Sequence, residues 1–236
     1  MRPFLFFLSL FLTVSVQSQR VIDVNKNDVD PTRGFFYVVG GEPFSIAKYV
    51  KVVAGSPYFS EDWMRGSVIS SSGQRYDSLQ LKLDLLANEL HFLDKEGREL
   101  ITSNPLSEVL LTDSVSGVQS RFVHSSAIAV SVAPDEGWYQ LLASGTVTLF
   151  VRLHKEISET MPYGSATAEQ TIKTSPRYFI SFNNVFARIK KINDLADLLN
   201  GKSTDVRTYI SNNRLSGKSS NDYIRVVSYY NSLHPK

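Results

Sequence analysis

Residues 79–85 read Leu-Gln-Leu-Lys-Leu-Asp-Leu, and no other stretch of the chain indicates the type of fold more clearly. Successive side chains of a β-strand point to opposite faces, so the pattern predicts a strand with four leucines on one face. Asn88-Glu89 breaks the pattern, 90–93 resumes it, and a polar turn at 94–98 leads to a third strand near 99–102. Short strands joined by such turns predict an antiparallel meander.

On both sides of this stretch, strand patterns continue from Phe35 to about Phe186. The candidates are Tyr49–Val53, Gly66–Ser70, Glu108–Thr112, Arg121–His124, Ala127–Val132 and Tyr178–Phe182. Strands that are apolar on one face, in this number, predict a mainly β (α+β) fold: a curved sheet, a sandwich or an open barrel. We expect this antiparallel β domain to span residues 35–187.

A longer alternation runs from Tyr139 to Leu153, interrupted by Ser144-Gly145. The interruption is either a bulge in one strand or a tight hairpin turn. Because the parity of the apolar positions is the same on both sides, the pattern favours one continuous, bent strand. The segment from Glu159 to Thr174 is rich in small and polar residues and predicts a mobile loop or a linker between two long strands.

The C-terminal tail changes to helical spacing. Asn193 or Asp194 can cap a short helix that ends at Asn200-Gly201, and a second helical segment covers Ser203 to Asn212. Ser219 to Asp222 forms a capping-box start for a third helix that runs to about Asn231. We expect residues 188–236 to form a small helical subdomain packed on the sheet.

The N-terminus has the features of an export signal. A basic start is followed by an apolar run from Phe4 to Val14 and by small residues before Gln19. This pattern predicts a signal peptide over residues 1–18, followed by a flexible stretch over 19–34. The chain has no cysteine, which excludes disulfides and thiol chemistry. An exported chain without cysteine favours the bacterial envelope, either the periplasm or the cell surface.

Charge is distributed unevenly along the chain. Residues 171–236 hold eleven basic and four acidic side chains, whereas residues 19–170 hold thirteen basic and nineteen acidic ones. Either the basic tail pairs with the acidic sheet, or Arg188, Lys190 and Lys191 form a basic surface that attracts an anionic membrane. Nucleic acid is not an expected partner, because export and the lack of a recognition motif argue against it.

Sequence-local catalytic and metal motifs are missing. The four histidines are dispersed, no G-x-S-x-G elbow occurs, and no metal-ligand spacing is present. We therefore predict no catalytic residues, no metal and no cofactor from the sequence. A hydrolase site formed only in the fold, such as a glycosidase carboxylate pair, stays open as an alternative.

Aromatic residues are the remaining candidates for function. Tyr58, Trp63, Trp138 and Tyr139 lie near predicted strand starts and loops. On a concave sheet they would line an apolar cavity or stack on a carbohydrate. The alternative is that they fill the core, as large aromatics commonly do in β proteins.

Three stretches carry a family resemblance: Tyr58-Phe59 through Asp84, Trp138 through Leu149, and Val226 through Leu233. Together they resemble an uncharacterised group of secreted or periplasmic proteins common in Bacteroidetes-type bacteria. The resemblance implies an envelope location and a β domain with a helical tail. It implies no activity and transfers no functional residue.

The sequence thus predicts an exported, non-enzymatic binding or envelope-associated protein that uses a concave apolar sheet face. Its expected partner is an apolar ligand, a glycan or an envelope protein. The alternatives are an envelope hydrolase and a structural component that meets another protein.

Overall fold

The structure is a computed structural model that describes residues 22–23, 50–132, 134–164, 167–199 and 202–233. The predicted signal peptide lies outside the described residues, as do residues 35–49 of the predicted β domain. Of the predicted flexible stretch 19–34, only Ile22–Asp23 is described, and it forms a short strand.

Across these ranges, twelve strands are followed by three helices. In chain order the elements are β1 Ile22–Asp23, β2 Val50–Ala54, β3 Met64–Ser70, β4 Arg75–Asp84, β5 Glu89–Leu93, β6 Glu99–Ile101, β7 Leu106–Thr112, β8 Gln119–His124, a 3₁₀ turn Ser125–Ala127, β9 Trp138–Ala143, β10 Thr148–Thr160, β11 Ala168–Phe182, β12 Val185–Ile189, α1 Asp194–Leu198, α2 Ser203–Asn212 and α3 Ser220–Leu233. The predicted mainly β fold with C-terminal helices is confirmed.

All these strands belong to one open sheet. Its main path runs β6-β5-β4-β3-β7-β8-β9-β10-β11-β12, and every neighbouring pair on this path is antiparallel. The two N-terminal strands lie off the path, where β1 pairs with β4 and β2 pairs with β11, both in parallel. The sheet is therefore two antiparallel meanders, β3–β6 and β7–β12, joined where β3 lies beside β7.

The connection between the meanders forces the sheet to curve. Only residues 102–105 link β6 to β7, although β5, β4 and β3 lie between them in the sheet. In a flat sheet four spacings of ~4.8 Å would separate β6 from β7 by ~19 Å sideways alone, while the five Cα–Cα steps from Ile101 to Leu106 reach at most ~18 Å. The sheet must therefore roll up. Two hydrogen bonds fix the connection in place, from Thr102 N to Leu90 O and from Ser71 N to Pro105 O, and each is 3.0 Å long.

The leucines of β4, together with Leu85 directly after it, fill the inside of this roll. Leu79, Leu81, Leu83 and Leu85 are all buried, with Leu81 and Leu83 at 0 % exposure. They pack with apolar residues from the other rolled strands and from β8 and β9, including Val68, Phe92, Val109, Leu111, Phe122 and Trp138. The predicted one-faced leucine strand is confirmed.

The three helices cover one face of the β9–β12 half of the sheet. Their apolar side chains pack on strand residues that include Leu149, Val151, Ile180 and Ile189. The side-chain amide of Asn231 accepts from Val147 N at 2.8 Å and donates to Val147 O at 2.9 Å, which ties α3 to the β9–β10 turn.

Gly145 in this turn lies directly against the amide of Asn231. A Cβ at position 145 would lie 2.5 Å from Asn231 Nδ2, which is too close for any side chain. The glycine therefore allows α3 to approach the turn closely enough for both hydrogen bonds to form.

Within the described ranges, no helix is long and apolar enough to cross a membrane.

The structure corrects the interpretation of Ser144-Gly145. These residues lie in a hairpin turn between β9 and β10, so the favoured continuous bent strand is wrong. The apolar residues also change face, because Tyr139 packs in an aromatic cluster on one side of the sheet and Leu149 packs under the helices on the other. A register shift between Leu149 and Phe150 accompanies this change.

Two further local predictions need correction. The segment 159–174 is strand over most of its length, because β10 and β11 pair without interruption out to Thr160 and Glu169, and only residues 161–167 connect the two strands. Its threonines and Ile172 favour extended backbone more than the small residues oppose it. Residues 127–132 do not form a strand: Ile128 packs on the aromatic cluster, and Ser131 N donates to Asn184 O at 2.9 Å. Residues 127–132 therefore lie over one face of the sheet, and we call them the cover segment.

We predict that the buried side chains inside the roll provide most of the stability of the β3–β8 half of the sheet. Leu81→Ala should lower the free energy of unfolding by about 2–5 kcal/mol, since it leaves a cavity in a fully buried site. Gln80→Ala, on the exposed face of the same strand, should change it by less than about 0.5 kcal/mol. Urea unfolding followed by circular dichroism measures both, and equal effects would contradict the assignment of faces.

Candidate functional site

Tyr58 and Trp63, two of the four predicted ligand-binding aromatics, lie together and partly exposed. The Lys82 ammonium is placed over both rings, at 4.2 Å from the Tyr58 centroid and 5.8 Å from that of Trp63. Tyr58 also contacts the edge of buried His91, whose Nδ1 lies 2.6 Å from Glu99 Oε1. Because the protein's own lysine occupies the ring faces, this pair is already engaged in cation–π contacts.

Trp138 and Tyr139, the other two, are buried on opposite faces of β9. Trp138 packs inside the rolled sheet and is 4 % exposed. Tyr139 is fully buried among Phe150, Phe179 and Phe186, and its hydroxyl donates to Asp135 O at 2.9 Å. Tyr139 is therefore a core residue, while the small exposed part of Trp138 faces a pocket.

The predicted basic residues Arg188, Lys190 and Lys191 are all exposed. The backbone N–H groups of both lysines donate to the carboxylate of Asp194 at the start of α1. Within the described part of the chain, no ion pair joins these side chains to an acid of the sheet. The helical tail instead meets the sheet through apolar residues, so its positive charge is not neutralised across that contact.

A pocket of about 270 Å³ opens at one end of the rolled sheet, and we call it the mouth pocket. It forms where the β4–β5 turn, the β6–β7 connection and the β8–β9 connection meet. Its floor consists of three buried apolar residues, Leu90, Leu106 and Trp138. Its rim consists of the exposed Pro105 and of polar residues, namely Asn88, Glu89, Asn104, His124, Ser126 and Glu136. Thr102 also lines the pocket, but its hydroxyl is buried.

The rim carries a close pair of polar side chains. His124 caps the 3₁₀ turn that follows β8, and its Nδ1 lies 2.9 Å from Ser126 Oγ and 3.4 Å from Ser126 N. Because an N–H group can only donate, Nδ1 is the acceptor and the neutral ring carries its proton on Nε2. The hydroxyl of Ser126 can then donate to Nδ1 as well.

Hydrogen bonds and one glycine fix the β9 side of the pocket. Trp138 Nε1 donates to Asn88 O at 3.3 Å, and Arg152 Nη2 donates to Glu136 O at 2.6 Å. Gly137 has a φ of +138°, and a Cβ there would lie 2.7 Å from Asn88 Oδ1. A side chain at this position would therefore push apart two walls of the pocket.

The electrostatics of the rim are negative near neutral pH. Burial lowers the pKa of His124 below its ordinary value of 6.5, although Glu136 partly opposes the effect. His124 is then neutral, while Glu89 and Glu136 contribute two carboxylates, and no lysine or arginine is among the described lining residues. The rim therefore offers amides, a hydroxyl, an imidazole and acids.

The sequence alone does not indicate this pocket. Asn88, Asn104, His124 and Glu136 are far apart in the sequence, and each has an ordinary local setting such as a turn or a strand end. A weak signal was present in the neighbouring His124 and Ser126, but closeness in sequence does not reveal what lies across from them. In the described residues, no group of three or more histidine, aspartate or glutamate side chains could hold a metal ion.

No protein-family model, no curated protein and no solved structure matches the chain. The resemblance to secreted Bacteroidetes-type proteins stays a prediction, and the candidate site depends on the geometry alone.

The lowered pKa of His124 predicts a pH dependence of stability. The unfolded chain binds the proton more tightly than the folded one, so stability is full above pH 6.5 and falls as the pH drops below it. In His124→Asn the amide oxygen can still cap the turn but does not titrate. We expect this variant to lose less thermal stability than the parent between pH ~7.5 and ~5.5.

Ser126→Ala is the control for this measurement, because it keeps the imidazole and the backbone N–H that donates to it. It should retain the pH dependence of the parent. An unchanged pH dependence in His124→Asn, measured by thermal denaturation, would contradict the assignment to this ring.

Proposed function

We propose that this protein is an exported binding protein of the bacterial envelope and that its mouth pocket holds a sugar unit of a glycan. The observation that carries the proposal is the lining of the pocket, an apolar floor beneath a rim of hydrogen-bonding side chains. A sugar has the matching chemistry, because it presents C–H groups on one face and hydroxyls around its edge.

The filled interior supports a glycan over an apolar ligand. The roll is packed with leucines and aromatics, several of them fully buried, so the apolar sheet faces are engaged in the core and under the helices. The ligand must then bind at the rim, where polar groups converge. The pocket's volume, just below the ~300–1,000 Å³ usual for small-molecule sites, suits one sugar unit.

The charge of the rim supports a particular class of sugar. Glu89 and Glu136 would repel the carboxylate of a uronic acid or the sulfate of a sulfated unit. They would instead accept hydrogen bonds from hydroxyls or from a protonated amine. We therefore expect neutral or amino sugars to bind and acidic sugars to be rejected at this pocket.

Glycan-array screening of the purified protein, followed by isothermal titration with the best sugar, tests the proposal. Asn104→Ala removes a hydrogen bond to the ligand, and Glu136→Gln replaces a charged acceptor by a weaker neutral one, so each should weaken binding about tenfold. Asn221→Ala on α3 and Glu96→Gln in the β5–β6 turn make the same changes at exposed positions away from the pocket and should leave binding unaltered. No binding, or binding that both pocket variants leave intact, would overturn the proposal.

A second candidate function is ester hydrolysis at the same pocket. It is favoured by the 2.9 Å contact between Ser126 Oγ and His124 Nδ1, which joins a hydroxyl to a neutral base. Assays with short acyl esters should then show activity that Ser126→Ala abolishes and Ser131→Ala, in the neighbouring cover segment, retains. Absence of activity in the parent protein, or full activity in Ser126→Ala, would exclude this function and leave sugar binding untouched.

A further inference from the structure

The sheet face opposite the helices carries basic side chains from three neighbouring strands. Tyr178 of β11 and Ile189 of β12 pack under the helices, so the adjacent Arg177 and Arg188 point to the other face. Arg152 of β10 is the direct cross-strand partner of Arg177, and His154 follows two positions along on the same face. We call His154, Arg177 and Arg188 the outer basic cluster.

This arrangement places like charges together. Arg188 is opposite Phe179, two positions from Arg177, and Arg177 is opposite Arg152. Side chains directly opposite in an antiparallel pair have Cβ atoms about 5 Å apart, and like charges at that position destabilise the sheet. Arg152 and Arg177 therefore form an unfavourable pair of like charges in the middle of the regularly paired β10–β11 hairpin.

Among the described residues, internal partners offset the charge of only one of these arginines, Arg152. Arg152 donates to Glu136 O, lies 3.8 Å from Asp135 Oδ2 and is placed over the Tyr139 ring. Within the part of the chain that the structure describes, Arg177 and Arg188 have no ion pair. Elsewhere the same sheet pairs its arginines closely, as in the two 2.8 Å bonds from Arg121 to Glu108.

The nearest acid along β10 on this face does not compensate the cluster. Glu156 is two residues beyond His154, and its direct cross-strand partner is Lys173. The pKa of His154 is lowered, first by burial and then by the positive charges of Arg177, Arg152 and Arg188. Glu156 opposes this lowering. A bound anion would offset this field.

We propose that the outer basic cluster binds an oxoanion, the phosphate or sulfate group of a ligand. Arg177 and Arg188 provide planar guanidinium forks that match the oxygens of such a group, and His154 provides a third donor. The outer basic cluster is positively charged, whereas the two carboxylates of the mouth pocket disfavour anions. The proposed oxoanion site therefore does not depend on the proposed sugar binding.

Sulfate at constant ionic strength is the probe for the isolated oxoanion. An NMR titration of the histidine ring protons should show sulfate raising the pKa of His154, and the apparent affinity should fall at least about tenfold in Arg177→Gln/Arg188→Gln. The matched control is Arg214→Gln/Arg225→Gln, which removes the same charge from the helical layer and should bind sulfate as the parent does. Arg188→Lys keeps the charge but loses the fork and should bind with intermediate affinity.

Sedimentation with vesicles identifies the source of the group. Binding to phosphatidylglycerol vesicles that is absent with phosphatidylcholine and is lost in Arg177→Gln/Arg188→Gln would assign the oxoanion to a lipid headgroup. Sulfate binding without vesicle binding would assign it to a soluble or glycan-borne phosphate or sulfate. The proposal is overturned if neither probe binds, or if the control pair weakens binding as much as the cluster pair.

Discussion

The four-residue connection 102–105 sets the shape of the whole sheet. It must reach from the edge strand β6 to β7 across the width of three strands, which a flat sheet does not allow. The sheet rolls up, and its concave side acquires the volume that Leu81, Leu83 and Phe92 fill. The roll and the leucine alternation support each other, because a rolled strand buries one face fully and leaves the other to solvent.

The same connection produces the candidate site. Rolling brings the β4–β5 turn, the connection itself and the ends of β8 and β9 to one rim, where their polar side chains surround a small apolar floor. Residues such as Asn88 and Glu136 meet there although neither is near the other in the chain. A glycine at 137 and the Trp138–Asn88 hydrogen bond keep the walls close. The pocket is thus a property of the rolled end and not of any one segment.

The other half of the sheet shows how apolar and charged surfaces are separated. Helices α1–α3 dock on one face through apolar side chains, and Asn231 fixes their position by bonding both backbone groups of Val147. On the opposite face, an aromatic cluster around Tyr139 is adjacent to Arg177 and Arg188. Because the helical contact uses no ion pairs among the described residues, the positive charge of the C-terminal third stays available to solvent or to a ligand.

Local patterns were enough to predict the fold class, the leucine face of β4 and the helical tail with its third helix, because alternation and capping depend on each residue and its near neighbours. They could not predict that Ser144-Gly145 is a turn, that most of 159–174 is paired strand, or that Tyr139 is core while Trp138 borders a pocket. Those outcomes depend on which strands pair and in what register, and a one-residue change of register reverses the face of every side chain in a strand. The mouth pocket and the outer basic cluster arise from the same long-range pairing, which is why they emerge only once the strands are assembled.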